Sequence, residues 1–167
     1  VEQRKAKMFD AMNIMAGDGF TMTHDAGTNS TSLAAFQALN NENNMPIRIY
    51  AMLDRADGDL LNEWAPKGPM TYPSNMLFVR SIKSGLDGTL GVRSARFLED
   101  YSDMPGHSGL DPDWTKQFGQ MDMMIQAGFQ INTHAIGDKA NREILEFLER
   151  NYAINPELKK LRHRSEH

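Results

Sequence analysis

The sequence predicts an α/β protein in which parallel strands alternate with helical crossovers. Three observations carry that expectation. Between Phe129 and Thr133 apolar residues alternate with Gln130 and Asn132, and Ala140, Ile144, Phe147 and Leu148 then recur at helical spacing. The same change of period repeats along the whole chain, as it does in βα units. Residues with chemistry (His24-Asp25, Lys83, His134 and His167) fall where the strands are expected to end.

Taken in order, residues 2–16 form a first helix with Met8, Phe9, Met12, Met15 and Ala16 as its apolar stripe, closed by Gly17 and Gly19. A short strand, Phe20 to Thr23, leads to His24 and Asp25. After a polar turn, Leu33, Ala35, Phe36 and Leu39 face inward from a second helix. Pro46 to Leu53 is a strand through Ile47, Ile49 and Ala51, and a third helix covers roughly Asp57 to Trp64. Met76 to Lys83 is the next strand. The glycine-rich stretch 84–109 keeps no period and reads as a long loop of the kind that covers active sites. Asp111-Pro112-Asp113 restarts a helix; Trp114, Phe118, Met121 and Ile125 give its core face and Gly128 its cap. Then come the strand ending at His134, a turn at Gly137 and a helix capped by Asp138. A final strand begins near Lys160. The open architectures are a doubly wound sheet and a section of a (β/α)8 barrel. No GxGxxG turn follows any strand, so a dinucleotide fold has no support.

Composition narrows the function. A 167-residue chain with 40% apolar residues has the material for one domain with a sizeable core, read here as residues 1–167 together. The net charge of −4 and the absence of a dense basic run argue against nucleic acid. No apolar run reaches membrane-spanning length. Without cysteine there is no disulfide framework and no thiolate metal site. Cysteine usage therefore does not fix the compartment, and the cytoplasm is the working expectation.

In either architecture the active site lies at the C-terminal edge of the strands. His134 and His167 are 33 residues apart, the length of one βα unit, which puts the two imidazoles on neighbouring strands. Lys83 precedes His134 by 51 residues, one such unit plus the inserted loop. Two histidines and a lysine on three successive strand ends point to a metal site. Lysine is a ligand only without its proton; desolvated among cations it reacts with carbon dioxide to give an anionic carbamate.

At these residues the sequence also resembles a known family. Ile82-Lys83, DGTLGVRSA (87–95), YSDMPGHSGL (101–110), HAIGDKAN (134–141) and RHRSEH (162–167) are similar to motifs of the amidohydrolase superfamily, in the same order. GFTMTHDAG (19–27) fits an earlier strand, so the resemblance covers nearly the whole chain. The nearest branch is amidohydrolase family 3, which includes the N-substituted formamide deformylases. The resemblance implies a partial (β/α)8 barrel, approximately strands 2 to 6. It also implies hydrolysis of amide or other C–N bonds by a metal-activated water. Lys83 then takes the strand 4 ligand position, His134 that of strand 5 and His167 that of strand 6, around a divalent metal expected to be zinc. The family's HxH pair and its strand 8 aspartate have no counterpart in the sequence, and the chain reads as a piece of a longer protein.

Asp87, Arg93 and His24 are read as substrate contacts. His107 is placed on the surface, His163 beside or outside the site, Trp114 in the core, and Glu166 on the strand face opposite His167. Two function classes follow. One is a fragment of a metal-dependent amidohydrolase acting on a small amide-type substrate. The other is an inactive hydrolase-like fragment, with no metal bound, that folds and associates with itself. Unpaired strand edges favour a homo-oligomer. Taken by itself, the chain is expected to bind metal weakly and to turn nothing over.

Overall fold

The computed structural model describes residues 2–167. In chain order the elements are α1 (Glu2–Gly17), β1 (Met22–Thr28), α2 (Ser30–Asn41), β2 (Arg48–Asp54), α3 (Gly58–Trp64), β3 (Met70–Thr71) and β4 (Leu77–Gly85). They continue as α4 (Thr115–Gln126), β5 (Gln130–His134), α5 (Asp138–Ile154) and β6 (Arg164–Glu166). The chain forms two compact units, Val1–Ile82 and Lys83–His167, with β4 running from one into the other.

In the first unit β1, β2 and β4 are neighbours in that order, and β1 lies parallel to β2 with His24 opposite Tyr50. β1 continues beyond the expected strand, so His24 is its third residue rather than its terminus. The apolar signal stops at Thr23 because the next alternate side chains, His24 and Ala26, are exposed. A bulge at Gly27, whose φ of 107° suits glycine, then shifts the register. Asn29 caps α2 by accepting the Ser32 N–H at 3.0 Å, and Leu33, Ala35, Phe36 and Leu39 are buried as expected. In β2 the burial of Ile49, Ala51, Met52 and Leu53 covers both faces, as parallel sheets require. The two-residue β3, antiparallel to β4 through Met70 and Val79, is too short to leave a periodic signal.

The second unit continues the sequence. The end of β4 lies beside β5, where the Ser84 and Thr133 hydroxyls bond at 2.8 Å, and β5 pairs in parallel with β6. Parallel strands in sequential order with helical connections make the chain an α/β protein of partial (β/α)8 barrel type. α5 buries Ala140, Ile144, Phe147 and Leu148, and the Phe147 ring stacks on Phe118 at 5.7 Å. Full burial of a phenylalanine is worth roughly 2–3 kcal/mol.

Two helix starts differ from expectation. α4 begins at Thr115 rather than at Asp111, because Asp111 is taken by Arg96 at 2.5 Å and Asp113 bonds the Thr115 N–H at 2.9 Å. α5 is capped by the backbone of Gly137, while Asp138 accepts the Leu98 N–H at 2.9 Å from the preceding loop. The last strand begins at Arg164, after a 3-10 turn over Pro156–Leu161 and a left-handed Arg162 (φ 54°).

Candidate metal centre

Three strand ends of the second unit supply the site. His134 closes β5 and is in register with Glu166 of β6, so the two side chains share a face of the sheet. Lys83, near the end of β4, brings its ammonium Nζ to 2.8 Å from Glu166 Oε2 and 3.4 Å from His167 Nε2. The imidazoles of His134 and His167 lie 4.8 Å apart, centroid to centroid, at 56°. Burial opposes ionisation of Glu166, but the hydrogen bond from Lys83 and the charges of Lys83, Arg164 and His167 hold its carboxyl below the usual range. Arg164 completes the cluster by donating to Glu166 Oε1 at 3.2 Å and to Asn132 Oδ1 at 3.0 Å.

The loop after β4 fastens the other side of His134. The ring Nε2 lies 2.9 Å from the Gly88 carbonyl oxygen and 3.2 Å from Asp87 Oδ1. The Asp87 side chain is wholly buried and accepts the N–H groups of Gly137 (2.7 Å), Ile136 (3.1 Å) and Arg96 (3.1 Å). The Ile136 and Gly137 groups are the turn and first cap of α5, donors that no helical carbonyl reaches, and the Arg96 group belongs to the loop after β4. Arg96 is the buttress behind this arrangement. It is 2% exposed, grips Glu143 through two bonds of 2.7 and 2.8 Å, donates to the Leu86 carbonyl at 3.1 Å, and lies over the Trp114 ring. Its own carbonyl accepts from Lys139 at 3.2 Å and passes so close to Gly137 that a Cβ there would fall 1.8 Å away. Only glycine fits.

Lys83, His134 and His167 thus come together as the sequence reading expects. Two imidazoles with neighbouring rings suit a divalent metal. Lys83, bonded as an ammonium to Glu166, joins a donor set only once that bond is broken. Among the described residues no three His, Cys, Asp or Glu side chains form a complete ligand group. Of the residues read as substrate contacts, Asp87 faces backbone amides and His134, and Arg93 pairs with Asp103 at 2.6 Å. His24 belongs to the first unit, exposed, with its ring 4.8 Å from Tyr50.

Three further placements correct or extend the reading. Glu166 faces Lys83 rather than the opposite side, because β6 is only three residues long and the chain leaves strand geometry at His167 (φ 79°). His163 is largely buried: its Nδ1 accepts the Ile131 N–H at 2.9 Å, and burial pushes its pKa down to about 4. Arg96 carries no spacing signal, since its partners Asp111 and Glu143 are remote in sequence.

A model of the Amidohydrolase family matches residues 1–167. The chain is 33% identical over 147 residues to the exoenzymes regulatory protein AepA of Pectobacterium carotovorum subsp. carotovorum, covering 84% of this chain and 31% of that protein. It is 35% identical over 99 residues to protein LONG AFTER FAR-RED 3 of Arabidopsis thaliana, covering 59% of this chain and 15% of that one. Among solved structures it resembles an uncharacterized metal-dependent hydrolase from Pyrococcus horikoshii OT3, with a TM-score of 0.79 at 25% identity over 90% of this chain and 31% of that one. A second such hydrolase, from Pyrococcus furiosus, gives 0.76 at 25% identity over 87% and 31%. The chain therefore spans less than a third of the length of each of these proteins.

Proposed function

The chain belongs to the amidohydrolase family, and from that premise we propose that Lys83, His134 and His167 are part of the metal centre of a hydrolase acting on amide or other C–N bonds. The observation behind this is the meeting of a lysine and two histidines from three successive strand ends, at 3.4 Å between Lys83 Nζ and His167 Nε2 and 4.8 Å between the rings. The family implies a divalent metal, and zinc suits the two imidazoles. When bound, that metal supplies Lewis acidity toward the substrate carbonyl and the attacking water.

The side chains divide the remaining work. His134 and His167 would hold the metal. Glu166 holds the Lys83 ammonium at 2.8 Å; released from that bond and one proton, Lys83 would be a third group able to hold the metal, as the amine or, after adding carbon dioxide and losing a second proton, as the carbamate. The substrate is a small amide-type molecule, with the N-substituted formamides as the first class to try.

The test uses a longer protein that carries these residues. Bound metal is measured with hydrolysis of N-formyl and N-acyl amides, for the parent and for Lys83→Ala, His134→Ala and His167→Ala. Each variant should lose metal and about 100-fold or more in turnover. Full metal content and activity in all three would refute the assignment.

A further inference from the structure

We propose that Asp87 is the positioning residue for His134: together with the Gly88 carbonyl it fixes the ring in the tautomer and orientation that present Nδ1 to a divalent metal. The inference rests on the metal-centre reading above and deepens it.

The argument starts from what surrounds His134 Nε2. Its two partners, Gly88 O at 2.9 Å and Asp87 Oδ1 at 3.2 Å, are both acceptors. A ring nitrogen facing two acceptors carries the proton, so in the neutral ring Nδ1 holds the lone pair. The neighbouring ring is that of His167, 4.8 Å away between centroids, and its Nε2 lies 3.4 Å from Lys83 Nζ.

Asp87 is suited to fix a neighbour because it is itself fixed. Its side chain has no exposed surface, and its oxygens receive the N–H groups of Gly137, Ile136 and Arg96 at 2.7 to 3.1 Å. Those donors sit on the β5–α5 turn and on the loop that Arg96 locks in place, so the acceptor offered to His134 has little freedom. Three backbone donors would be enough to satisfy a buried carboxylate; the imidazole is an additional partner. A carboxylate behind a ligating histidine also raises the basicity of the ring, and loss of such partners typically costs about 10- to 100-fold in metal affinity.

The experiment reads the tautomer directly. The metal-free 167-residue chain, labelled with nitrogen-15 in histidine, is examined by long-range proton–nitrogen correlation, and zinc is then titrated while the His134 resonances are followed. Wild type should show Nε2–H at His134. Asp87→Asn should lose most of that preference and need about tenfold more zinc to reach the midpoint. Asp100→Ala is the control for general loosening: it removes the bond from the Gly106 N–H to Asp100 Oδ2 (2.7 Å) farther along the same loop and leaves the Gly88–Thr89 peptide alone. It should match wild type on both counts.

An Nδ1–H tautomer in the wild type overturns the proposal. So does Asp87→Asn with an unchanged tautomer, or Asp100→Ala shifting the tautomer as far as Asp87→Asn does. If Asp87→Asn is not recovered folded, Asp87→Ser, which keeps one acceptor for the Gly137 N–H, is judged by the same criteria. A wild-type chain that never responds to zinc overturns the metal half of this inference; the metal reading itself is decided in the longer protein, and the tautomer measurements still decide what Asp87 does to the ring.

Discussion

Replacing Arg96 by methionine keeps much of the side-chain volume and removes the guanidinium, so it isolates what the charge does for the loop. Arg96 is 2% exposed, and its partners differ: Glu143 is 26% exposed and Asp111 52%. Breaking a buried ion pair from one side costs about 3–5 kcal/mol, because the other charge is left uncompensated. Glu143 retains some contact with water, which moves the figure to the low end, and the half-exposed Asp111 adds less than about 1 kcal/mol. The expected destabilisation is therefore about 3 kcal/mol. At this chain length each kcal/mol lowers Tm by roughly 2–4 °C, so a fall of about 6–12 °C should appear in differential scanning calorimetry. Proteolytic nicking between residues 86 and 114 should rise in parallel, since the loop loses its buried anchor. Arg93→Met, at an exposed pair with Asp103, serves as the comparison and should leave Tm almost unchanged. If Arg96→Met melts within about 2 °C of wild type, the buttress argument is wrong.

Gly137→Ala is expected to destabilise the chain by more than about 2 kcal/mol, because the clash is with the Arg96 backbone rather than with a side chain that can swing away; urea unfolding checks it. Acid should weaken the fold in two steps. His163, whose pKa is lowered by burial to about 4, binds its proton more readily when unfolded, so stability falls between about pH 6.5 and 4, on the order of 2 kcal/mol after allowance for solvent screening. Glu166, with its pKa held below 4.5, adds a further loss as the pH drops below that value. Unfolding free energies measured from pH 7 to 3 should show the first step flattened in His163→Asn and the second in Glu166→Gln. Self-association is the remaining expectation. The outer face of α5 carries an open groove of about 890 Å³ with Leu145 and Tyr152 in its lining, and Leu145 is 63% exposed. Sedimentation at micromolar concentration should show dimers or larger species that Leu145→Glu disperses, and a monodisperse wild-type monomer would count against it.

The alternation of strand and helix was legible because each βα unit writes two periods into the sequence. Ile47, Ile49 and Ala51, or Ala140, Ile144, Phe147 and Leu148, are buried where the pattern puts them. The meeting of Lys83, His134 and His167 was legible for the same reason, since strand ends spaced by whole βα units share an edge. What the pattern did not carry was set by partners remote in sequence. Asp138 looks like a helix cap, yet the donors at that terminus go to Asp87, some 50 residues earlier, and Asp138 turns to Leu98. Asp111 looks like a helix start until Arg96 and Lys139 claim its carboxylate. Glu166 was misplaced by a parity rule that needs a longer strand than Arg164–Glu166. His24 was put at a strand end because exposed residues on β1 interrupt the apolar alternation before the strand itself stops.

The loop after β4 separates two kinds of mutational freedom. Its base is held by the Asp87 carboxylate, the Arg96 peptide group and the Arg96 guanidinium, and these contacts leave little room for exchange. Farther along, Leu90, Val92, Leu98, Met104 and Leu110 are all exposed, so their replacement disturbs far less packing. A library confined to those five positions can therefore sample new surface chemistry on the loop, whereas changes at 87, 88, 96 and 137 would disturb the groups that hold His134. For redesign, this loop behaves as a replaceable tip on a fixed mount.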